Sequence, residues 1–142
     1  MEQSNKSFRF EAIKPDGGVL TLDSVREAVI PGALGYFGVR AGYHPFLTSL
    51  GVGEVKVYVG DTTHRFMVAD GMCEVGPDKV VVLAETAELQ HDIDVARAKR
   101  SFERARERLQ PGAKGADLAR ARAALKRAEA RLKVAGGASG SS

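Results

Sequence analysis

Apolar and polar residues alternate in short runs through the first half of the chain, and turn residues separate the runs. Alternation over residues 8–12 comes before Asp16-Gly17-Gly18, and alternation over residues 55–59 comes before Gly60-Asp61. A period of two places one face of a strand against a core, and glycine allows the positive φ angles of tight turns. The pattern therefore predicts two β-hairpins.

Further turn residues divide the segment that follows the second hairpin. Asp70-Gly71 and Gly76-Pro77-Asp78 are predicted turns on either side of a short strand over residues 72–75. The β-branched run over residues 80–83 predicts a buried strand. Many short strands at regular spacing are typical of a compact all-β fold, so we predict a β-sandwich or barrel over residues 1–86.

The hydrophobic period changes to that of an α-helix from residue 92 onward. A break at residues 110–115, which contain proline and glycine, separates two apolar stripes, and Asp117 is the predicted N-cap of the second helix. The pattern predicts an antiparallel α-helical hairpin over residues 87–135, followed by a flexible Gly/Ser tail at 136–142. The two stripes, spaced 3, 4, 3 and 4, are Val95, Ala98, Phe102, Ala105 and Leu109, and Leu118, Ala121, Leu125, Ala128 and Leu132.

Charge is distributed unevenly along the 142 residues. Residues 1–96 hold 8 Lys and Arg against 14 Asp and Glu, whereas residues 97–142 hold 13 basic and 4 acidic side chains. The basic hairpin should therefore meet a negative partner, such as nucleic acid, anionic lipid, a nucleotide or an acidic protein surface. Because alanine alternates with larger residues on its thin seam, we expect the hairpin to be marginally stable.

Residues with catalytic or metal-binding chemistry are sparse. The three histidines lie far apart without ligand-spaced partners, no phosphate-binding loop is present, and Cys73 falls in a predicted strand without an evident histidine partner. The sequence also has no apolar run of about 20 residues and no secretory signal near its start. We predict a protein that is not an enzyme and requires no cofactor, with Cys73 as a buried, inert thiol.

One glycine-rich stretch resembles a known family. Residues 31–40, with spaced glycines, precede Gly42-Tyr43-His44-Pro45-Phe46-Leu47-Thr48, and together they are similar to the signature of bacterial F-type ATP synthase epsilon subunits. That signature has Gly-His-x-Pro-Leu-Leu-Thr, so the histidine is displaced by one position and no family role is assigned to it here. The resemblance covers residues 8–134. The glycines of this stretch serve tight turns between strands, and its functional interpretation is a partner contact loop that comprises Gly32, Leu34, Gly35, Tyr36, Gly38, Tyr43 and His44.

The resemblance implies a non-catalytic rotor subunit of the central stalk in a proton-translocating complex. Its sandwich would grip the gamma subunit and sit on the membrane ring of c subunits. Its helical hairpin would lie folded on the sandwich in one state, and in another extend to the alpha/beta catalytic head and inhibit ATP hydrolysis. The implied location is the cytoplasmic side of the bacterial inner membrane, with the membrane reached through the complex only.

A regulatory ATP site is a second implication of the resemblance. Residues 93–98 match the Ile-Asp-x-x-Arg-Ala motif that binds ATP in some family members. In the alternative interpretation, Asp92 and Asp94 only favour a helix N-terminus, and the arginines form a solvated face. The candidate ATP residues are Glu88, Ile93, Asp94, Arg97, Ala98, Arg104, Arg127 and Arg131.

Two other classes of function compete with this interpretation. The basic hairpin could track the phosphates of a nucleic acid, but it offers no aromatic platform for stacking, because Phe102 lies on the predicted apolar stripe. We therefore expect no nucleic-acid partner. A small enzyme on a β-sandwich ranks last, because no catalytic constellation is present.

Overall fold

The architecture is a folded β-sheet followed by two helices. In a computed structural model, the structure describes residues 6–112 and 114–137, apart from the side chain of residue 116. The elements are β1 (Phe8–Lys14), β2 (Gly17–Val25), β3 (Glu27–Gly32), β4 (Gly35–Val39), β5 (Phe46–Val59), β6 (Thr62–Val75), β7 (Lys79–Leu89), a 3-10 turn (Gln90–Asp92), α1 (Val95–Arg108) and α2 (Gly115–Gly136).

The seven strands form one sheet that closes over its own core as a sandwich. Their order is β2-β1-β7-β6-β5-β3-β4, with β1 and β7 parallel and the other pairs antiparallel. The rings of Phe10 and Phe66 meet edge to face inside it, with centroids 5.9 Å apart. Both predicted hairpins are confirmed, at β1–β2 and β5–β6, and so is the fold class of a β-sandwich with a helical hairpin.

The sandwich depends on a bend inside β6, one of its two longest strands. Asp70 (φ 62°) and Gly71 (φ 136°) lie within β6, so the turn predicted there is wrong. The β6 residues that face the sandwich core are even-numbered before this bend, as at Val68, and odd-numbered after it, as at Cys73. A Cβ atom on Gly71 would collide with the backbone oxygen of Leu83 in β7. Only glycine therefore fits where the strand changes its inward face.

Strand β7 is buried on one face only. Val80 and Val82 are buried, but Leu83 is 46% exposed, so the prediction of a fully buried run over residues 80–83 is wrong. The strand continues to Leu89, which places the predicted division at residue 86 inside it. Its last residues therefore stand beside the helices.

The helices pair through alanine. Ala98 and Ala105 of α1 and Ala121 and Ala128 of α2 are buried, as the two stripes predict, whereas Val95 of the first stripe is exposed. The small alanine side chains allow a close approach of the helix axes but bury little apolar area. The hairpin therefore depends on further contacts outside its own seam.

The helix ends differ in part from the prediction. The carboxylate of Asp94 caps α1 by accepting the backbone N–H of Arg97 at 3.0 Å. Asp117 is not the N-cap of α2, because that helix already begins at Gly115 and Asp117 lies in its first turn. Gly136 ends α2, Gly137 follows it, and residues 138–142 of the predicted tail lie outside the described residues.

The end of α2 docks on the outer face of the sandwich. Ala130 and Val134 of this helix are buried with Met67, Ala69 and Ile93 in a second apolar cluster. These five residues are called the docking cluster below. It is separate from the sandwich core and fixes α2 across β5 and β6.

The bend yields a first prediction. Gly71→Ala should lower the free energy of unfolding by about 3 kcal/mol, because the added methyl group combines a strained φ with overpacking against β7. Urea unfolding followed by circular dichroism measures the change. Gly18→Ala is the matched control, since its Cβ meets nothing within 4 Å. Equal midpoints for the two variants would contradict this account of the bend.

Candidate functional site

A cleft opens where the end of β7 faces both helices. It has a volume of about 280 Å³ and is lined by Glu88, Asp92, Asp94, Arg97, Ala98, Ser101 and Arg131. They come from β7, the 3-10 turn, α1 with its N-cap, and α2, because β7 ends beside α2 and α1 begins only a few residues later. Five of the eight residues predicted for an ATP site thus come together in one place.

The two arginines of the cleft have different surroundings. Arg131 makes a bidentate ion pair with Glu88, in which Nε and one terminal nitrogen lie 2.8 and 2.9 Å from the two carboxylate oxygens. Both side chains are partly buried. Arg97 makes no ion pair with any side chain in the described part of the chain. The cleft thus combines one cation held by a carboxylate with one that is available to a ligand.

Three predicted ATP residues do not line the cleft. Ile93 is buried in the docking cluster, so it can act only by packing. Arg104 lies three residues beyond Ser101 on α1, and Arg127 lies four residues before Arg131 on α2. Each arginine is therefore about one helical turn from a lining residue and near the same helix face.

Sequence reasoning missed Asp92 and Ser101 as lining residues. Ser101 follows Arg97 by four residues, and the i,i+4 spacing places both on one face of α1. That spacing could have identified Ser101. Asp92 could not have been placed this way, because it ends a 3-10 turn whose direction the sequence does not reveal.

Part of the predicted contact loop is exposed to solvent, and part of it contacts α2. Leu34 is fully exposed at the tip of the β3–β4 hairpin, where Gly32 and Gly35 pair, and Gly38 lies on β4. Tyr43 and His44 are exposed in the segment before β5, next to exposed Phe46 and Leu47. The exposed apolar residues form a surface suited to a protein partner.

Tyr36 points toward the hairpin of helices instead of toward the tip of its loop. Its hydroxyl accepts the backbone N–H of Glu54 at 3.0 Å, and the ammonium of Lys133 on α2 lies 5.5 Å from its ring centroid. A Cβ atom on Gly53 would collide with the same hydroxyl. Tyr36 therefore joins the loop, β5 and α2.

A buried charge lies under this junction. Glu54 is 2% exposed, and its Oε2 accepts from Arg65 at 2.8 Å, whereas its buried Oε1 has no hydrogen-bond partner in the described residues. Loss of the arginine would leave the carboxylate uncompensated, which is costly in an apolar interior. The pair therefore fixes Arg65 in place.

Other candidate chemistry is weak in the described residues. Within 6–112 and 114–137, no group of three His, Cys, Asp or Glu residues is arranged to hold a metal ion. No helix in the same ranges is long and apolar enough to cross a bilayer. Cys73 is buried as predicted, and burial, with a smaller effect from Glu74, raises the pKa of its thiol to about 12.

Comparison with known families matches both parts of the chain. Residues 7–90 match the family described as ATP synthase, Delta/Epsilon chain, beta-sandwich domain, and residues 91–136 match its long alpha-helix domain. The chain belongs to the ATP synthase epsilon-chain family. It is an epsilon chain of ATP synthase, a non-catalytic subunit.

Similar proteins span nearly the whole chain. The ATP synthase epsilon chain of Nitratidesulfovibrio vulgaris strain DP4 is 42% identical over 133 residues, which cover 94% of this chain and 98% of that one. The epsilon chain of Moorella thermoacetica is 42% identical over 131 residues, with coverage of 92% and 97%.

A solved structure of the Euglena gracilis mitochondrial ATP synthase, comprising OSCP, F1 and c-ring, contains a similar fold. The TM-score is 0.78 at 22% identity, covering 91% of this chain and 81% of that one. The central stalk and c-ring of the Tetrahymena thermophila enzyme contain another, with a TM-score of 0.60 at 11% identity, covering 93% and 98%. At these identities the likeness shows a shared fold.

The buried thiol of this epsilon chain yields a prediction. With a pKa of about 12, roughly one Cys73 thiol in 10⁴ is ionised at pH 8, so a thiol-specific reagent should not label the folded protein and should label it fully in urea. Since the unfolded chain ionises from about pH 8.5, the thiol's contribution to stability should fall between that pH and 12. Rapid labelling of the folded protein at pH 8 would contradict the burial.

Proposed function

We propose that this subunit couples ring rotation to the catalytic head of a proton-translocating bacterial F-type ATP synthase and inhibits ATP hydrolysis through its helical hairpin. Its partners are the gamma subunit, the c-subunit ring and the alpha/beta head. Its place is the cytoplasmic side of the inner membrane, reached only through the complex. The observation that carries the proposal is the small docking cluster, the apolar contact that ties the hairpin to the sandwich.

A small docking contact suits an element with two positions. Ala130 and Val134 bury few apolar atoms against Met67 and Ala69, and the helix–helix seam is made of alanine. If the docked and released hairpins differ in free energy by only a few kcal/mol, a partner that binds one state modestly better shifts the population toward it. The basic residues of the hairpin gain acidic partner surfaces when it is released, which offsets the lost apolar contact.

The exposed apolar residues beside the contact loop support the role of the sandwich. Leu34 at the hairpin tip and Leu47 at the start of β5 extend into solvent without apolar cover in the described residues. Exposed apolar side chains of this size are typical of protein contacts. We assign them, with Tyr43 and His44, to contacts with the rotor.

ATP is the proposed regulator of the hairpin. Arg97 from α1 and Arg131 from α2 face one cleft, and a guanidinium binds phosphate oxygens in a bidentate manner. The cleft is near the lower end of the volumes of ligand sites, about 300–1,000 Å³, so it accepts the phosphates and leaves the rest of the nucleotide near its mouth. Arg104 and Arg127, one turn away, extend the positive charge.

Phosphate and Glu88 compete for the same guanidinium. The bidentate pair orients Arg131 while no anion is present. A ligand that bridges both helices and the end of β7 binds only the docked hairpin, so it stabilises that state by mass action. ATP thereby keeps the hairpin away from the head.

Inhibition by the released hairpin is tested by weakening the docking cluster. Val134→Ala removes two buried methyl groups and should shift the hairpin toward release by ~2 kcal/mol, roughly 30-fold. ATP hydrolysis by the reconstituted complex should then fall. The matched control is Val95→Ala, at a position 41% exposed, which should leave hydrolysis unchanged. Equal hydrolysis with both variants would rule out inhibition through hairpin release.

Nucleotide binding is tested by calorimetric titration of ATP into the isolated protein. Arg97→Ala and Arg131→Ala should each weaken binding about 10- to 100-fold, the usual effect of losing a hydrogen bond to a charged group. Arg127→Ala, which does not alter the lining of the cleft, should have a smaller effect, and Arg106→Ala, on the side of α1 opposite Arg97, should have none. Absence of ATP binding to the unaltered protein would refute the site.

A further inference from the structure

The last carbonyl groups of α2 have a dedicated partner. The side-chain Nε2 of Gln90 donates to the backbone oxygen of Val134 at 2.9 Å and to that of Gly137 at 2.8 Å. The final carbonyls of a helix have no partner within the helix, so side chains or water must satisfy them. Here one amide from the 3-10 turn after β7 donates to two of them, and the carbonyl of Val134 also accepts the backbone N–H of Gly137 at 3.2 Å.

The same end of α2 lies against a guanidinium that cannot move easily. A Cβ atom on Gly137 would lie 2.8 Å from Cδ and 2.9 Å from Nε of Arg65. Arg65 is held by the buried carboxylate of Glu54 at 2.8 Å, so moving it aside would leave that charge uncompensated. The close approach therefore requires glycine at position 137, although its φ of −73° suits any residue.

We propose that Gln90 is a positioning residue that, together with the contact of Gly137 on Arg65, sets how often α2 leaves the sandwich. These three residues are called the end clamp. The clamp acts at the last turn of α2, three residues beyond Arg131, and so it also holds that guanidinium over the cleft. The clamp is independent of nucleotide, and only its effect on inhibition rests on the proposed function.

Charge distinguishes the end clamp from the neighbouring ion pair. Glu88 and Gln90 lie two residues apart, and both contact the last turns of α2. An anion can displace Glu88 from Arg131, but it does not compete for a neutral amide that donates to carbonyl oxygens. The clamp therefore retains α2 while Arg131 exchanges partners.

The size of the effect follows from the two hydrogen bonds. The loss of two neutral hydrogen bonds should raise the released population about 10- to 30-fold. Gln90→Glu keeps the size of the side chain but places a carboxylate against two carbonyl oxygens. This variant removes both donors without creating a cavity.

Oxidation of Met67 by hydrogen peroxide in the full chain reports release. Met67 is fully buried in the docking cluster under α2, whereas Met72 lies on the same strand, partly exposed, outside that cluster. If release and return are fast, the oxidation rate of Met67 follows the released population. Peptide mass spectrometry measures both residues in one sample.

Gln90→Glu should accelerate oxidation of Met67 about 10-fold or more and leave Met72 unchanged. Gln110→Glu, the same change of charge in the exposed segment between the helices, is the matched control. Equal Met67 rates in these two variants would overturn the proposal.

Faster oxidation of Met72 in Gln90→Glu would show that this variant opens the sandwich itself. In that case a second pair of variants tests the end clamp. Gly137→Ala should accelerate oxidation of Met67, because its methyl group meets Arg65. Gly136→Ala should not, because nothing lies within 4 Å of its Cβ position. Equal rates at Met67 in this pair would also overturn the end clamp.

Adding ATP separates the clamp from the proposed nucleotide site. If ATP stabilises the docked hairpin, it should slow oxidation of Met67 in the unaltered protein and reverse part of the effect of Gln90→Glu. If ATP changes neither rate while Gln90→Glu still accelerates oxidation, the clamp stands and the nucleotide proposal fails.

Discussion

The contact between the end of α2 and the outer face of β5 and β6 determines where the functional residues stand. Without it, Arg131 would not face Glu88, and the cleft between β7 and the helices would lose one wall. Because β6 bends at Asp70 and Gly71, the same strand places Met67 and Ala69 under the helix before the bend and Cys73 in the sandwich core after it. A backbone feature of one strand is thus a condition for the geometry of a site formed by distant residues.

Packing and charge have opposite effects on the pairing of the two helices. Alanine brings the two helices close, but it contributes little hydrophobic stabilisation, and excess positive charge on both helices opposes their association. The polar contacts at one end of α2 therefore carry more weight than they would in a bundle with a leucine seam. The stability of the docked state is concentrated in a few residues around β7, β6 and the last turn of α2.

Much of the fold could be predicted because it depends on local periodicity. The alternation over residues 8–12 and 55–59 and the stripes of the two helices reflect faces that are buried. The bend at Asp70-Gly71 was mistaken for a turn because a dipeptide signal does not distinguish a chain reversal from a positive φ within a continuous strand. Likewise, the start of α2 at Gly115 was missed, because glycine is a poor helix former and Asp117 offered a stronger local signal.

The site was predicted less completely, because its residues meet only in three dimensions. The resemblance groups five residues that line one cleft, but it does not reveal that Arg131 is held by Glu88 or that Ile93 lies in an apolar cluster. The partners of Gln90 are 44 and 47 residues away along the chain, and no periodicity links such positions. Contacts of this kind depend on how the bend, the 3-10 turn and the second helix combine.

Tyr36 links binding at the tip of the β3–β4 hairpin to the docking of α2. It lies two positions after the exposed Leu34 at the hairpin tip, yet its ring and hydroxyl contact α2 and β5. A protein that grips the tip and displaces this ring alters the free energy of the helix on the other side. Reciprocity then requires that release of the helix change the affinity of the tip for that protein by the same factor.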